Sequence, residues 1–267
     1  MYMIIDFHTH CFSDAIAPKA MANLSKNPDY PPYYDGTLSG LKASMDEAGI
    51  DISVMQNIAT NAHQNRKVND WAISCLDVPF VVPFGSIHPE LEDSFAEVDR
   101  LAAAGIKGVK FHPDYQKFFA DDERIFPLYE KILRSGMVIL FHCGKDLVLG
   151  EPLHCGPERF AHVAQAFPGA PIVGAHMGSQ GLWDDMFRML IGKDCYLDTS
   201  FGFDFLSKHE IERVLAEHDT DKLLFATDAP WQCQKKDVEF MRECVKDGKV
   251  LDKIFYKNAA RLLGLAL

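Results

Sequence analysis

Short apolar runs alternate along the chain with longer amphipathic segments. The runs are almost continuously apolar, which is typical of strands buried on both faces of a parallel sheet. Each run is followed by a segment long enough to form a helix. The predicted strands are MIIDF (3–7), ISVMQN (52–57), FVVPFGSI (80–87), GVKFH (108–112), VILFH (138–142), PIVGAH (171–176), CYLDTS (195–200) and LLFATD (223–228).

The joints between helices and strands share one pattern, in which an amphipathic helix is followed by a glycine and then by a strand. A glycine at this place can adopt the left-handed conformation that ends a helix. Eight strand-helix units with short joints predict a (β/α)8 TIM barrel, and we expect one domain over residues 1–267. A doubly wound open sheet is the structural alternative. The joints are LKASMDEAGIDISV, VDRLAAAGIKGVKF and YEKILRSGMVILF.

Composition and charge narrow the class of protein. The chain has 267 residues, of which 48% are hydrophobic and 24% charged, as in globular proteins. A net charge of −11 argues against nucleic-acid binding, which usually needs a basic face. The seven cysteines are scattered and contain no CxxC pair, which indicates reduced thiols. We expect a cytoplasmic protein with no membrane span or signal peptide, and the sequence leaves a homo-oligomer open.

The segment SKNPDYPPYYDGT (25–37) interrupts the regular alternation. It is rich in proline and tyrosine and lies between the first predicted strand and its helix. Such a segment is either a long surface loop or a lid over the mouth of the barrel.

Two histidines, His8 and His10, stand at the end of the first predicted strand. Side chains two residues apart in a strand point to the same side, so the two imidazoles project together. Two neutral imidazoles that converge in this way form half of a zinc-type site. The C-terminal ends of barrel strands are also where active sites collect, which favours a metal site here.

The same placement recurs at three later strands. His142, His176 and Asp228 each end an apolar strand and precede a loop that carries glycine or proline. Burying so many ionisable groups together is costly unless something compensates for it. A divalent cation is the simplest compensation, and we therefore predict a metal site.

This constellation resembles that of the amidohydrolase superfamily. The phrases FHCG, FPGAPIVGAHMG, LLFATDAPW and YKNAARLLGL are similar to those of its amidohydrolase-related branch of hydrolases and non-oxidative decarboxylases. The resemblance implies that His8, His10, His142 and Asp228 hold one metal ion, commonly zinc. It implies that His176 is a catalytic acid or base, or a ligand of a second metal. The glutamate typical of TatD-like nucleases is missing.

The fourth predicted strand carries Lys110, with His112 two residues later on the same side. Several binuclear members of the superfamily have a carboxylated lysine here, which bridges two metals. The alternative, which we favour, is an ammonium group at the pocket floor that pairs with an acid or with a substrate carboxylate. Lys110 and His112 are therefore candidates for a second metal site or for substrate binding.

These residues predict a metal-dependent hydrolase that acts on an amide, lactone or ester of a small molecule. A metal ion lowers the pKa of a bound water towards about 7, and Asp228 would accept the proton of that water. The alternative is a non-oxidative decarboxylase of a small carboxylic acid. A non-enzymatic alternative is a metal-binding scaffold that has lost catalysis.

Several other residues are not assigned to the site. We expect Cys11 and Cys143 to pack rather than bind metal, because each faces away from the histidine before it. Trp231 is a candidate for the pocket wall. His63 and His88 are expected to be loop residues outside the site, and His162, His209 and His218 to be surface residues on helices.

Overall fold

A computed structural model describes residues 3–25 and 29–266 of the chain. The strands are β1 (Ile5–Thr9), β2 (Ile52–Met55), β3 (Val81–Pro83), β4 (Gly85–Ser86), β5 (Gly108–Phe111), β6 (Val138–Phe141), β7 (Ile172–Gly174), β8 (Tyr196–Asp198) and β9 (Leu223–Leu224). They form two parallel groups, β1–β3 and β4–β9, and within each group every strand pairs with its neighbours in chain order.

The helices lie between these strands, and short 3-10 turns precede or follow several of them. The α-helices are α1 (Ala17–Leu24), α2 (Leu38–Ala48), α3 (Asn65–Ser74), α4 (Ser94–Ala104), α5 (Pro113–Gln116), α6 (Phe126–Arg134), α7 (Pro157–Ala166), α8 (Trp183–Met189), α9 (Lys208–Glu217), α10 (Gln234–Cys244), α11 (Gly248–Asp252) and α12 (Asn258–Leu263). A π-helical turn, Lys253–Lys257, joins α11 to α12. In the part of the chain that the structure describes, no helix is both long and apolar enough to cross a bilayer.

Backbone hydrogen bonds join the first strand to the last and close the sheet into a barrel. The amide of Phe7 donates to the carbonyl of Phe225 at 2.9 Å, and the amide of Asp228 donates to the carbonyl of His8 at 2.8 Å. On the other side, β3 and β4 are one run broken at Phe84, whose amide donates to Met55 of β2 at 2.9 Å. The prediction of a TIM barrel is confirmed, and the open-sheet alternative is not.

Local signals in the sequence explain where several helices begin and end. Thr37 caps α2, and its side chain accepts a hydrogen bond from the amide of Gly40 at 3.0 Å. Gly49 and Gly105 end α2 and α4 with φ values of 71° and 95°, the left-handed conformation that glycine adopts without strain. The side chains of Leu41 and Met45 are buried, as the helical spacing predicts.

Alternate strand positions fill the barrel with apolar side chains and then continue into polar ones. Val138 and Leu140 of β6 belong to the inner cluster, and His142 follows them at the same spacing. Leu224 and Ala226 precede Asp228 in the same way. Residues of α12 join the cluster, so polar groups gather only towards the C-terminal ends of the strands.

β1 departs from this alternation, because Phe7 belongs to the inner cluster and yet His8 lines the cavity above it. The register between β1 and β2 shifts between Asp6 and Thr9. A β-bulge re-aims the side chains that follow it. The irregularity therefore turns His8 and His10 inwards.

The structure corrects three expectations about individual segments. The last strand is regular only over Leu223–Leu224, not over residues 223–228. The connection after β1 contains α1, which the sequence analysis did not predict. His218 is buried rather than exposed, and its Nε2 atom lies 3.0 Å from the carbonyl oxygen of Cys195.

Candidate metal and active site

A cavity of about 450 Å³ opens at the C-terminal ends of the strands. Its volume is within the range of pockets that hold small molecules. The predicted pocket residue Trp231 lines it, whereas Trp183 and the described part of the 25–37 segment do not; residues 26–28 lie outside the described chain. All the predicted site residues line this cavity: His8, His10, Lys110, His112, His142, His176 and Asp228.

Three of these side chains converge on one point. The Nε2 atoms of His8 and His10 lie 3.2 and 3.1 Å from the same oxygen, Oδ1 of Asp228. The two nitrogens are themselves 3.2 Å apart. Donors about 2.0–2.1 Å from a tetrahedral zinc ion are roughly 3.3 Å from one another. The spacing of the three donors therefore fits a shared metal ion.

Hydrogen bonds on the far side of each ring leave these nitrogens free to bind a cation. Nδ1 of His8 lies 3.0 Å from Oδ2 of Asp198, and Nδ1 of His10 lies 3.0 Å from the carbonyl oxygen of Gln56. Both partners are acceptors, so they favour the tautomer with the proton on Nδ1 and a lone pair on Nε2. The donor set of the centre suits a divalent metal.

His142 is linked to this group through His176 rather than directly. Nδ1 of His142 lies 3.0 Å from Nε2 of His176, whose ring stacks on His8 with centroids 5.2 Å apart. The Nε2 atom of His142 is buried and has no hydrogen-bond partner among the described residues. A buried ring nitrogen without a hydrogen-bond partner is a candidate metal ligand. The ligand roles of His142 and His176 stay predictions.

Two residues that the sequence analysis missed hold the imidazoles in place. Ser200 donates a short hydrogen bond to Asp198, and its Oγ atom lies 2.9 Å from Nδ1 of His176. Asp198 accepts a hydrogen bond from the backbone amide of His176 at 2.9 Å as well as facing His8. One carboxylate thus orients the ring of His8 and fixes the backbone of His176. Their position at the end of the predicted strand CYLDTS was the available signal.

Lys110 lies inside the centre. Its Nζ atom is 3.2 Å from Nε2 of His8, and its side chain is fully buried. Burial lowers the pKa of Lys110 to about 8, while Asp228 and Asp198 oppose that shift. A lowered pKa brings the neutral amine, the form that reacts with CO₂, within reach near neutral pH. The choice between ammonium and carbamate stays open.

The pKa values of the remaining titratable groups are set by burial and by the charges of their neighbours. Burial raises the pKa of Asp228, but the neighbouring His8, His10 and His176 outweigh it and hold the pKa at about 2. Burial holds the pKa of His8 and of His142 well below the usual value. Near neutral pH Asp228 is therefore ionised, and His8 and His142 are neutral, which are the protonation states that bind metal.

A second cluster adjoins the first. The ring of His112 stacks on that of His142, with centroids 4.0 Å apart and an angle of 9° between the planes. Nε2 of His112 lies 3.4 Å from Oδ2 of Asp146, a residue that the sequence analysis did not single out. Donor atoms of His112, His142 and Asp146 lie within 4.8 Å of one another. The structure thus brings His112 to the cavity beside a ligand candidate.

The cysteines contribute no nucleophile to the cavity wall. Cys11 and Cys143 are buried, and burial raises the pKa of both thiols. Their sulfur atoms contact Met55 and Cys155 instead. Among the other histidines, His63 is exposed, while His88 is buried outside the cavity wall.

Comparison with known sequences places this constellation in a family. The sequence profile of the amidohydrolase family matches residues 5–265. The chain belongs to the amidohydrolase family. This amidohydrolase is therefore a metal-dependent hydrolase or decarboxylase, which confirms the prediction of an enzyme and counts against a non-catalytic scaffold. A comparison with curated proteins finds no match.

Solved structures share the fold over the full length of the amidohydrolase. An uncharacterized TIM-barrel protein from Bordetella bronchiseptica is 21% identical with a TM-score of 0.77, covering 98% of this chain and 99% of its own. A dihydroxybenzoic acid decarboxylase from a Polaromonas species, with bound manganese and the inhibitor 2-nitroresorcinol, is 17% identical with a TM-score of 0.75, covering 99% and 98%. A probable 2-pyrone-4,6-dicarboxylic acid hydrolase from Acinetobacter baumannii is 16% identical with a TM-score of 0.63, covering 98% and 99%.

Proposed function

We propose that this amidohydrolase hydrolyses an amide, lactone or ester of a small molecule, with a divalent metal, most simply zinc, in the centre. The observation that carries the proposal is the position of Asp228. Its carboxylate contacts two ligand candidates, His8 and His10, and at the same time faces the cavity. A carboxylate placed in this way can both hold an ion and accept a proton from an attacking water.

Each residue of the centre has a role in this proposal. His8, His10, His142 and Asp228 hold the ion, which supplies a lowered pKa for bound water and polarises a carbonyl oxygen. Asp228 takes the proton of the attacking water and returns it to the leaving group. Its low pKa keeps the carboxylate ionised at neutral pH, so that it can accept this proton. His176 stabilises the developing negative charge or transfers a proton.

The lining of the cavity supports an uncharged substrate. No arginine occurs among the described residues that form its wall. Two lysines, Lys67 and Lys110, are matched by two acids, Asp146 and Asp228. A pocket built for several carboxylate groups would carry an excess of cationic side chains. The side chains alone thus give no excess of positive charge, and only the ion would add one. One ion can anchor one carbonyl or carboxylate group, so the wall favours an ester, lactone or amide over a polycarboxylate.

Decarboxylation of a small carboxylic acid is the second candidate, and Lys110 is the observation that favours it. A buried cation 3.2 Å from Nε2 of His8 is placed to attract a substrate carboxylate to the centre. In this alternative the protein would protonate the carbon that CO₂ leaves. The decarboxylase from a Polaromonas species among the structural neighbours is consistent with this chemistry.

One experiment separates the two reactions. The purified protein, after its metal content is measured, is incubated with a panel of neutral esters, lactones and amides and with a panel of aromatic and unsaturated carboxylic acids. We expect hydrolysis of the first panel and no release of CO₂ from the second. CO₂ release without any hydrolysis would reject the proposal in favour of the alternative, and measured manganese without zinc would correct the metal.

A further inference from the structure

The cavity extends well beyond the metal centre. A void of about 150 Å³ is enough to bind benzene, and this cavity of about 450 Å³ is roughly three times as large. Residues of both α1 and α3 line the same cavity as the histidines, so part of the space outside the centre is a cleft between these two helices. A small ester such as methyl acetate would leave most of this volume empty.

The α1 side of the cavity presents an apolar stripe. Ile16, Ala20 and Leu24 follow one another at intervals of four residues, so they share one face of the helix. None of the three is buried, and Ile16 is 52% exposed. Met21, which lies on another face, is buried against the barrel. The stripe is therefore an apolar face that the described chain leaves uncovered.

The α3 side matches this stripe. Val68 and Trp71 line the cavity three residues apart and therefore lie on neighbouring positions of one helix face. A ligand between the helices could supply apolar cover for both helix faces.

We propose that the cleft between α1 and α3 binds an apolar arm of the substrate, an alkyl or aryl group at least as large as a benzene ring. The inference rests on the proposed function only in taking the histidine centre as the place where the substrate reacts. The substrate is then an amphiphilic molecule, with its reactive carbonyl at the centre and its apolar arm pointing outwards between the helices.

The test measures binding and does not depend on the reaction. Acetate, butyrate, hexanoate and octanoate are titrated calorimetrically into the protein as purified, since a carboxylate can anchor at the centre in either proposed reaction. We expect the affinity to rise by about fourfold for each methylene that enters the cleft, as burial of apolar surface predicts. An affinity that does not depend on chain length would overturn the proposal.

A pair of matched variants locates the arm. Ala20→Asp places a charge in the cavity wall, whereas Ala22→Asp places the same charge on an exposed position of the same helix outside that wall. We expect Ala20→Asp to abolish the gain from butyrate to octanoate. A uniform weakening of all four acids that preserves this gain would reflect charge repulsion alone and would contradict the proposal. Ala22→Asp should keep the full gain.

Other outcomes contradict the proposal in distinguishable ways. An equal loss in both variants would mean that the arm does not lie against α1. A dimer that Ala20→Asp dissociates, with an unchanged dependence on chain length, would assign the apolar stripe to a second copy of the chain. Absence of ester hydrolysis together with the expected chain-length dependence would reject the proposed reaction and leave the apolar arm supported.

Discussion

The centre has two halves that are built differently. The β1/β9 half, formed by His8, His10 and Asp228, brings two nitrogens within 3.2 Å of one carboxylate oxygen. The β5/β6 half, formed by His112, His142 and Asp146, stacks two rings 4.0 Å apart and leaves its carboxylate 3.4 Å from one of them. The first arrangement resembles a coordination sphere, and the second resembles the wall of a pocket.

The supports of the two halves differ in the same sense. The β1/β9 half is fixed by strand backbone. The amide of His10 donates to the carbonyl of Ala229 at 2.7 Å, beside the bond from the amide of Asp228 to the carbonyl of His8. Asp6 ties the same two strands, accepting hydrogen bonds from the amides of His8 and Thr227 at 3.2 and 3.0 Å. Asp146 instead lies in the loop after β6, held by the amides of Val148 and Leu149. Strand backbone also ties the β5/β6 half, since the amide of His142 donates to the carbonyl of Phe111 at 2.9 Å. The difference therefore lies in the two carboxylates, and the one fixed by strand backbone is the one for which proton transfer is proposed.

Replacing the carboxylate of the β1/β9 half tests this difference most strongly. We expect Asp228→Asn to lower kcat by about 10³-fold, because an amide cannot accept the proton of the attacking water. The protein should still fold and retain part of its metal, since three histidines remain. Steady-state kinetics on a substrate found in the panel, with metal analysis of the same preparation, provides the measurement. A rate within about tenfold of the unmodified enzyme would remove Asp228 from the role of base.

The sequence predicted those parts of the molecule that depend on local pattern. The apolar runs predict the strands, and a glycine after an amphipathic segment predicts the helix ends at Gly49 and Gly105. His142 and Asp228 could be identified because a polar residue that directly continues a buried strand position reaches the barrel rim. These signals depend only on residues that are close in the chain, so they can be recognised in a single sequence.

Contacts between distant segments could not be predicted in this way. Asp198 orients His8 across 190 positions of sequence, and no spacing rule links them. Asp146 reaches His112 from a loop without regular periodicity. The bulge in β1 was also missed, because it depends on the pairing with β2 rather than on the residues of β1 alone.

Acid should destabilise both halves through their imidazoles. Burial lowers the pKa of His8, His142, His112 and His176 in the folded protein, whereas the same groups in the unfolded chain titrate near about 6.5. The unfolded state therefore binds more protons below that pH. The stability that the neutral rings contribute is present above about pH 6.5 and is lost as the pH falls below that value, by up to about 1 kcal/mol at pH 5.5 for a ring that stays neutral in the folded protein.

Urea unfolding of metal-free protein between pH 7.5 and pH 5.5 measures this dependence. The His112→Asn variant should show a weaker dependence, because one titrating ring of the β5/β6 half is gone. Stability that does not change over this range would mean that the rings take up as many protons in the folded protein as in the unfolded chain. The lowered pKa values, and with them the neutral state of the rings in the centre, would then be wrong.

The smallest effect is expected from the carboxylate of the β5/β6 half. Asp146→Asn keeps the backbone hydrogen bonds to an oxygen but weakens the contact to His112, which at 3.4 Å is already long. We expect kcat/KM to fall by about threefold, less than the roughly tenfold that a charged hydrogen bond of ordinary length would account for. Asp121→Asn, which changes a carboxylate paired with Arg159 outside the cavity wall, is the matched control. The metal content of the Asp146→Asn variant is measured as well. A loss of about 10³-fold in rate, together with the loss of one of two ions, would show that the β5/β6 half is a second metal site. The two halves would then not differ in function.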